Sequence, residues 1–220
     1  QRAIDISELA LSETLAEVKA GMSERQILNL LKARMLAGGA EGFAFDPIVL
    51  VGGNAANPHG SPGDAVLTPG DALLIDFGAS VDGYNADITR TFFCDHASDD
   101  HAALYNTVLA ANEKGRAMSG PEITAHDLDV AVTAVLAESP YAALIVHKTG
   151  HGLGLDVHEA PQIMKGNHSP LIPGTVFTIE PGLYRAGDIG VRIEDDVVTD
   201  TTGARSLTGF PRELTIVGTK

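Results

Sequence analysis

Apolar positions recur with helical spacing near the N-terminus. Residues 6–21 carry Leu9, Leu15 and Val18 among their apolar positions and predict an amphipathic helix that Gly21 ends. Ser23-Glu24-Arg25-Gln26 then has the form of a capping box, with Ser23 as N-cap and Gln26 reaching back to it. The helix it opens places Ile27, Leu30, Leu31 and Met35 on one face, and Gly38-Gly39 stops it. Beyond that point short apolar runs replace the helical period. Residues 48–51, 72–75 and 88–93 read as strands, with a Gly/Asn/Pro-rich loop over 52–63. Residues 99–118 and 125–138 return to helical spacing. Three more β segments are expected at 144–146, 176–179 and 191–198.

The order is helices, strands, helices, strands. It suggests a duplication, because Ser23 and Thr124 open helices at matching places in the two halves. A duplicated αβ unit predicts pseudo-twofold symmetry and a site between the halves. Helices and strands that segregate along the chain favour an α+β fold over a doubly wound parallel sheet.

Charge narrows the function. The chain has 220 residues with 15 Lys+Arg against 29 Asp+Glu, a formal net charge of −14. No basic run is present, so nucleic acid and anionic membranes are not expected as partners. No stretch of the sequence is long and apolar enough for a transmembrane helix. The single cysteine, Cys94, rules out an intrachain disulfide and fits a reducing, cytoplasmic compartment. It follows Phe92-Phe93 in a predicted strand, which favours a packed thiol over a nucleophile.

Several acidic and imidazole groups stand where packing explains them poorly. Asp76 ends an apolar run and Asp87 opens the next one. A hairpin through Gly78 and Gly83 would set the two carboxylates opposite each other, where they repel unless a cation lies between them. His147, His151 and His158 are interleaved with glycines that let backbone or ligand approach closely. Glu180 follows an apolar run and precedes Pro181-Gly182. In 191–198, alternation puts Arg192, Glu194 and Asp196 on one face, either solvated or lining a site. His59 lies between Pro58 and Gly60 in the 52–63 loop. Carboxylates with a limited share of imidazole suit Mn, Fe, Co or Zn ions, and two such ions would activate a water for hydrolysis.

Asp76, Asp87, His151, Glu180 and Glu194, in that order and spacing, resemble the ligand set of the pita-bread metallopeptidases, which include methionine aminopeptidase, aminopeptidase P and prolidase. The wording is similar to the Xaa-Pro branch in Asn54–Gly60, in Gly83-Tyr-Asn-Ala-Asp87-Ile-Thr-Arg, in His147–Glu159, in Glu180-Pro-Gly-Leu-Tyr184 and in Val191-Arg-Ile-Glu194-Asp. The resemblance implies a single catalytic domain over 1–220 with the pita-bread fold. It implies two divalent ions, manganese first and cobalt, zinc or iron as alternatives, held by those five side chains, with Asp87 and Glu194 bridging. Glu180 would also take a proton from the attacking water. His59 and His158 would flank the scissile carbonyl. Arg192 would orient a neighbouring carboxylate or the substrate end, with His147 and Tyr184 as further pocket members.

The implied activity is an exopeptidase cutting after an N-terminal residue of a short peptide, of Xaa-Pro dipeptidase or aminopeptidase P type. The alternatives are a general or methionine aminopeptidase, or a silent peptide-binding homologue. Prolidases and aminopeptidases P carry an additional N-terminal domain, which is expected to be absent here. That domain helps to build oligomers, so a homo-oligomer stays open.

Overall fold

A computed structural model describes residues 1–219; Lys220, the last residue of the expected 1–220 domain, lies outside the described residues. The first helix, α1 (Arg2–Leu15), starts and stops earlier than its periodicity predicts. Its buried face is Ala3, Ile4, Ser7, Ala10, Leu11 and Thr14, and Leu9 points to solvent. Ser7 and Thr14 can be buried because each hydroxyl donates to the carbonyl four residues back. That rotates the packed stripe away from Leu9. The capping box forms as read: Ser23 Oγ accepts from the Gln26 N–H, and Gln26 Oε1 accepts from the Ser23 N–H. It opens α2 (Glu24–Ala37). After α3 (Asp99–Met118), Thr124 and Asp127 build the same box at the start of α4 (Ala125–Ala137).

The strands are β1 (Gly42–Phe43), β2 (Ile48–Val51), β3 (Ala72–Phe77), β4 (Ala79–Val81), β5 (Tyr84–Asn85), β6 (Ile88–Cys94) and β7 (Gly150–Gly152). They continue as β8 (Glu159–Ile163), β9 (Val176–Ile179), β10 (Gly182–Arg185), β11 (Ile189–Arg192), β12 (Asp195–Thr199), β13 (Ala204–Ser206) and β14 (Ile216–Val217). One sheet runs β14-β6-β3-β2, antiparallel except for the β14–β6 pair. A second runs β13-β12-β9-β7-β8, all antiparallel. Each sheet is covered by its own helix pair, and each half has its own core. Ile4, Leu11, Ile27, Leu31 and Phe77 belong to the first. Leu104, Val108, Leu128, Phe177 and Val191 belong to the second. This is the α+β layout in two related halves.

The halves also match in how buried acids hold loops. Glu24, one residue into α2, accepts from the N–H groups of Val51 and Gly63 and from the Asn54 amide. Asp129 of α4 accepts from the N–H groups of Thr149 and Lys165. The first carboxylate fixes the loop carrying His59, and the second fixes the approach to His151.

Two predicted strands come out differently. Ala142–Leu144 is a 3₁₀ turn, and residues 145–146 pair with no strand. Leu144 and Ile145 are half-buried and Val146 is exposed, so this apolar run lies against one surface without a neighbour to complete a ladder. The run over 191–198 breaks at Ile193-Glu194. β11 pairs with β10 up to Arg192↔Gly182, and β12 pairs with β9 from Asp195↔Ile179. Opposite the break lies Pro181, which has no N–H for the ladder. The paired break leaves Glu180 facing Glu194 across it.

Candidate metal centre

Asp76 and Asp87 do not sit directly opposite each other. The β3–β6 register pairs Asp76 with Thr89 and Phe77 with Ile88, and β4 and β5 lie between the two aspartates in sequence. Alternation nonetheless puts Asp76, Thr89 and Asp87 on one face, and that face opens on a cavity of about 410 Å³. Glu180 and Glu194 enter the same cavity from the break between the two strand pairs. His151, on β7, completes the set. Ligand atoms of Asp87, His151 and Glu194 lie within 4.8 Å of one another. His151 Nε2 is 3.6 Å from Asp87 Oδ2 and 3.4 Å from Glu180 Oε1.

The glycines beside His151 serve the backbone. A Cβ on Gly150 would come within 2.1 Å of the Thr178 carbonyl oxygen, and one on Gly152 within 2.3 Å of that of Ala160. They let β7 lie close between its neighbours, so His151 is presented from a narrow, rigid strand. Its Nδ1 is 3.0 Å from the Gly152 carbonyl oxygen. An N–H there leaves the Nε2 lone pair facing the carboxylates.

Side chains the sequence did not single out hold the acids in place. The Thr89 hydroxyl donates to Glu194 Oε2 at 2.6 Å, and the Thr178 hydroxyl donates to Glu180 Oε1 at 3.2 Å. Nothing in the pattern marked either threonine, since both look like ordinary strand residues. Arg192 is buried and spans the site's rear wall. It donates from Nη2 to Asp76 Oδ2 at 2.5 Å, from Nη1 to the Tyr184 hydroxyl at 2.6 Å and from Nε to Thr89 Oγ1 at 3.0 Å. Of the two partners expected for Arg192, the neighbouring carboxylate is the one it contacts here.

Tyr184 lies behind Arg192 and supports it from outside the cavity wall. It links Arg192 to His147: the Tyr184 oxygen and His147 Nε2 are 2.9 Å apart, and His147 Nδ1 is 2.8 Å from the Lys148 carbonyl oxygen. With Nδ1 donating to that carbonyl, Nε2 accepts from the tyrosine O–H. His147 itself lines the cavity, as do His59 and His158. His158 is exposed at the mouth, with its ring edge-on to His151 at 4.3 Å. Asp196 does not share the cavity. It is fully buried, and its Oδ2 accepts from the Asp87 N–H.

Burial and mutual repulsion dominate the electrostatics. Burial raises Asp87 and Glu194 well above the usual carboxylate range, and the neighbouring acids add to it: Glu194 and Asp76 on Asp87, Glu180 and Asp76 on Glu194. Burial raises Glu180 to about 7, although Arg192 pulls the other way. Burial lowers both His147 and His151 to about 4, so both imidazoles are neutral at pH 7. Burial works against the charge on Arg192, but Tyr184, Asp76 and Glu194 outweigh it.

The donor set fits divalent cations. Four carboxylates converge with one guanidinium to offset them, a neutral imidazole points its lone pair among them, and Asp76 Oδ1 is buried with no hydrogen-bond partner. Ions there would be held by Asp76, Asp87, His151, Glu180 and Glu194.

Comparisons with known proteins agree with this chemistry. The model of metallopeptidase family M24 matches residues 1–201. A Xaa-Pro dipeptidase of Pyrococcus horikoshii is 37% identical over 214 residues, 97% of this chain and 61% of that protein. The crystal structure of an X-Pro aminopeptidase from Thermotoga maritima superposes with a TM-score of 0.95 at 43% identity, covering 98% of this chain and 61% of the other. A Xaa-Pro dipeptidase from Bacillus anthracis gives a TM-score of 0.94 at 37% identity, covering 98% and 61%. The chain thus spans about three fifths of the length of these relatives. With the family model matched over residues 1–201 and relatives of 37–43% identity along nearly the whole sequence, the chain belongs to the M24 metallopeptidases.

Proposed function

We propose that residues 1–220 form the catalytic domain of a divalent-metal-dependent exopeptidase, which hydrolyses the bond after the N-terminal residue of a short peptide and favours proline after the cut. The observation that carries this reading is the convergence of Asp76, Asp87, His151, Glu180 and Glu194 on one cavity with Glu180 facing Glu194. Two ions, manganese first, would supply Lewis acidity and water activation there. The relatives named for Xaa-Pro hydrolysis support the substrate class.

The protein's own groups have distinct tasks. Glu180 takes a proton from the attacking water and returns it to the leaving nitrogen. Thr178 keeps its carboxyl oriented. His59 and His158, on the cavity wall, offer N–H groups to the carbonyl oxygen as it gains charge. Arg192 holds Asp76 in one position and is itself braced by Tyr184. Phe45, Ile48, Pro58 and Val157 give the cavity an apolar side that suits a pyrrolidine ring. No helix among the described residues is long and apolar enough to cross a membrane, and the buried Cys94 thiol fits a cytoplasmic setting.

A peptide panel read by mass spectrometry tests this. It holds Xaa-Pro dipeptides, longer Xaa-Pro-Xaa peptides and Met-Ala peptides, each with added Mn²⁺ or with a chelator. The expected result is cleavage of Xaa-Pro bonds that the chelator abolishes. Cleavage confined to Met-Ala peptides, or none with any divalent ion, overturns the reading.

A further inference from the structure

The cavity wall carries four carboxylates and two permanent cations, Arg192 and Lys148. They are placed very differently. Arg192 is buried, and its charge is matched at short range by Asp76. Lys148 is exposed at the wall, and among the described residues no carboxylate lies within ion-pair distance of it. Its Nζ meets the neutral amide oxygen of Gln162. Two divalent ions would balance the four carboxylates, which leaves both cations in excess, and of the two only Lys148 is exposed and free to move. One mobile positive charge is then left over at the wall, in a cavity that the reading above assigns to peptides.

A Xaa-Pro dipeptide and a longer peptide differ at one place beyond the cut. The dipeptide has a carboxylate after the proline, and the longer peptide has a neutral amide. An ammonium on a flexible stem forms a charge-assisted hydrogen bond with the first and gains much less from the second. Gln162, the present partner of Lys148, is a neutral group that a carboxylate displaces without leaving a buried charge unpaired.

We propose that Lys148 receives the C-terminal carboxylate of the substrate and so biases this site toward dipeptides. This inference rests on the peptidase reading above and goes beyond it by naming the residue that sets peptide length.

The test compares an Xaa-Pro dipeptide with its C-terminal amide, using the metal-loaded wild type, Lys148→Met and Lys148→Arg. The readout is the ratio of kcat/KM for the acid to that for the amide. A charge-assisted bond at a half-open site predicts that Lys148→Met lowers this ratio about tenfold, chiefly through KM on the acid, and that Lys148→Arg keeps it. A ratio unmoved in Lys148→Met overturns the role of Lys148 even if total activity falls, because a structural loss affects both substrates alike. A wild type that cleaves neither compound overturns the peptidase reading itself, and this one with it.

Discussion

Glu194 and Asp195 are neighbours in sequence, both buried, yet they belong to opposite kinds of site. Glu194 faces the cavity, with Glu180 across the strand break and Asp87 close by. Its carboxyl is pushed up by burial and by like charges. Asp195 faces the other way, into a cluster of cations. It takes Arg90 Nη2 at 2.8 Å, Arg212 Nε at 2.7 Å and the Asn112 amide at 3.0 Å, with Arg116 at 3.5 Å. Burial would raise its pKa, but Arg90 and Arg212 more than offset that and hold it below the usual range. One acid centre is satisfied by the protein alone. The other is left short of positive charge by the same protein.

Arg90 joins the two. It also donates to the backbone oxygens of Thr89, Glu194, Phe210 and Pro211, so the segment after β13 is fastened to the backbone that carries Glu194. A buried acid cluster with its cations supplied can stabilise a fold. One without them costs stability and is explained by what it binds.

The contrast predicts opposite responses to neutralisation. The largest effect is expected at Asp195. Asp195→Ala leaves the buried Arg90 guanidinium and the half-buried Arg116 and Arg212 without their shared anion and should destabilise the protein by about 3–5 kcal/mol, equally with and without divalent metal. Urea denaturation under both conditions measures this, and an unchanged midpoint would contradict a structural role.

Next come Asp87→Asn and Glu194→Gln. Each removes a repelling charge, so the chelated protein should be at least as stable as chelated wild type. Each should also abolish the rise in Tm on adding Mn²⁺, which for wild type corresponds to about 2.7 kcal/mol at a hundredfold excess over Kd. Thermal melts with and without metal separate the two effects; a full metal-induced rise in either variant removes that residue from the ligand set.

The subtlest test uses pH. Glu180 is raised from 4.5 to about 7, so the folded state keeps a proton that the unfolded state releases. The stability this proton gives is fully present below 4.5 and is lost as pH rises through about 7. Wild type, free of metal, should therefore lose stability relative to Glu180→Gln across that window. A stability difference between the two that stays flat with pH would mean Glu180 is not raised.

Much of the site was legible residue by residue. A carboxylate at the end of an apolar run, or beside Pro-Gly, has little packing reason to be there, and Asp76, Asp87, Glu180 and Glu194 all stood out on that ground. The capping box at Ser23 was legible too, because it needs only residues three apart, whereas the matching box of Thr124 and Asp127 emerged with the structure. The supporting groups gave no such signal. Thr89 and Thr178 look like any strand threonine, and Arg90 like any strand arginine, until the register shows what they touch.

The sequence by itself determined which chemistry is present: the acids, the histidines, the helix starts and the alternation of helical and β segments, all set by local pattern. Only the tertiary structure decided how that chemistry is divided. It ended the strand expected at 144–146, because no neighbour completes its ladder. It split 191–198 opposite Pro181, turned Glu194 toward Glu180 and Asp195 toward three arginines, and drew Tyr184 behind Arg192. Those outcomes depend on which backbone lies across from which, and pairing between segments a hundred residues apart in the chain is not written in the neighbourhood of either.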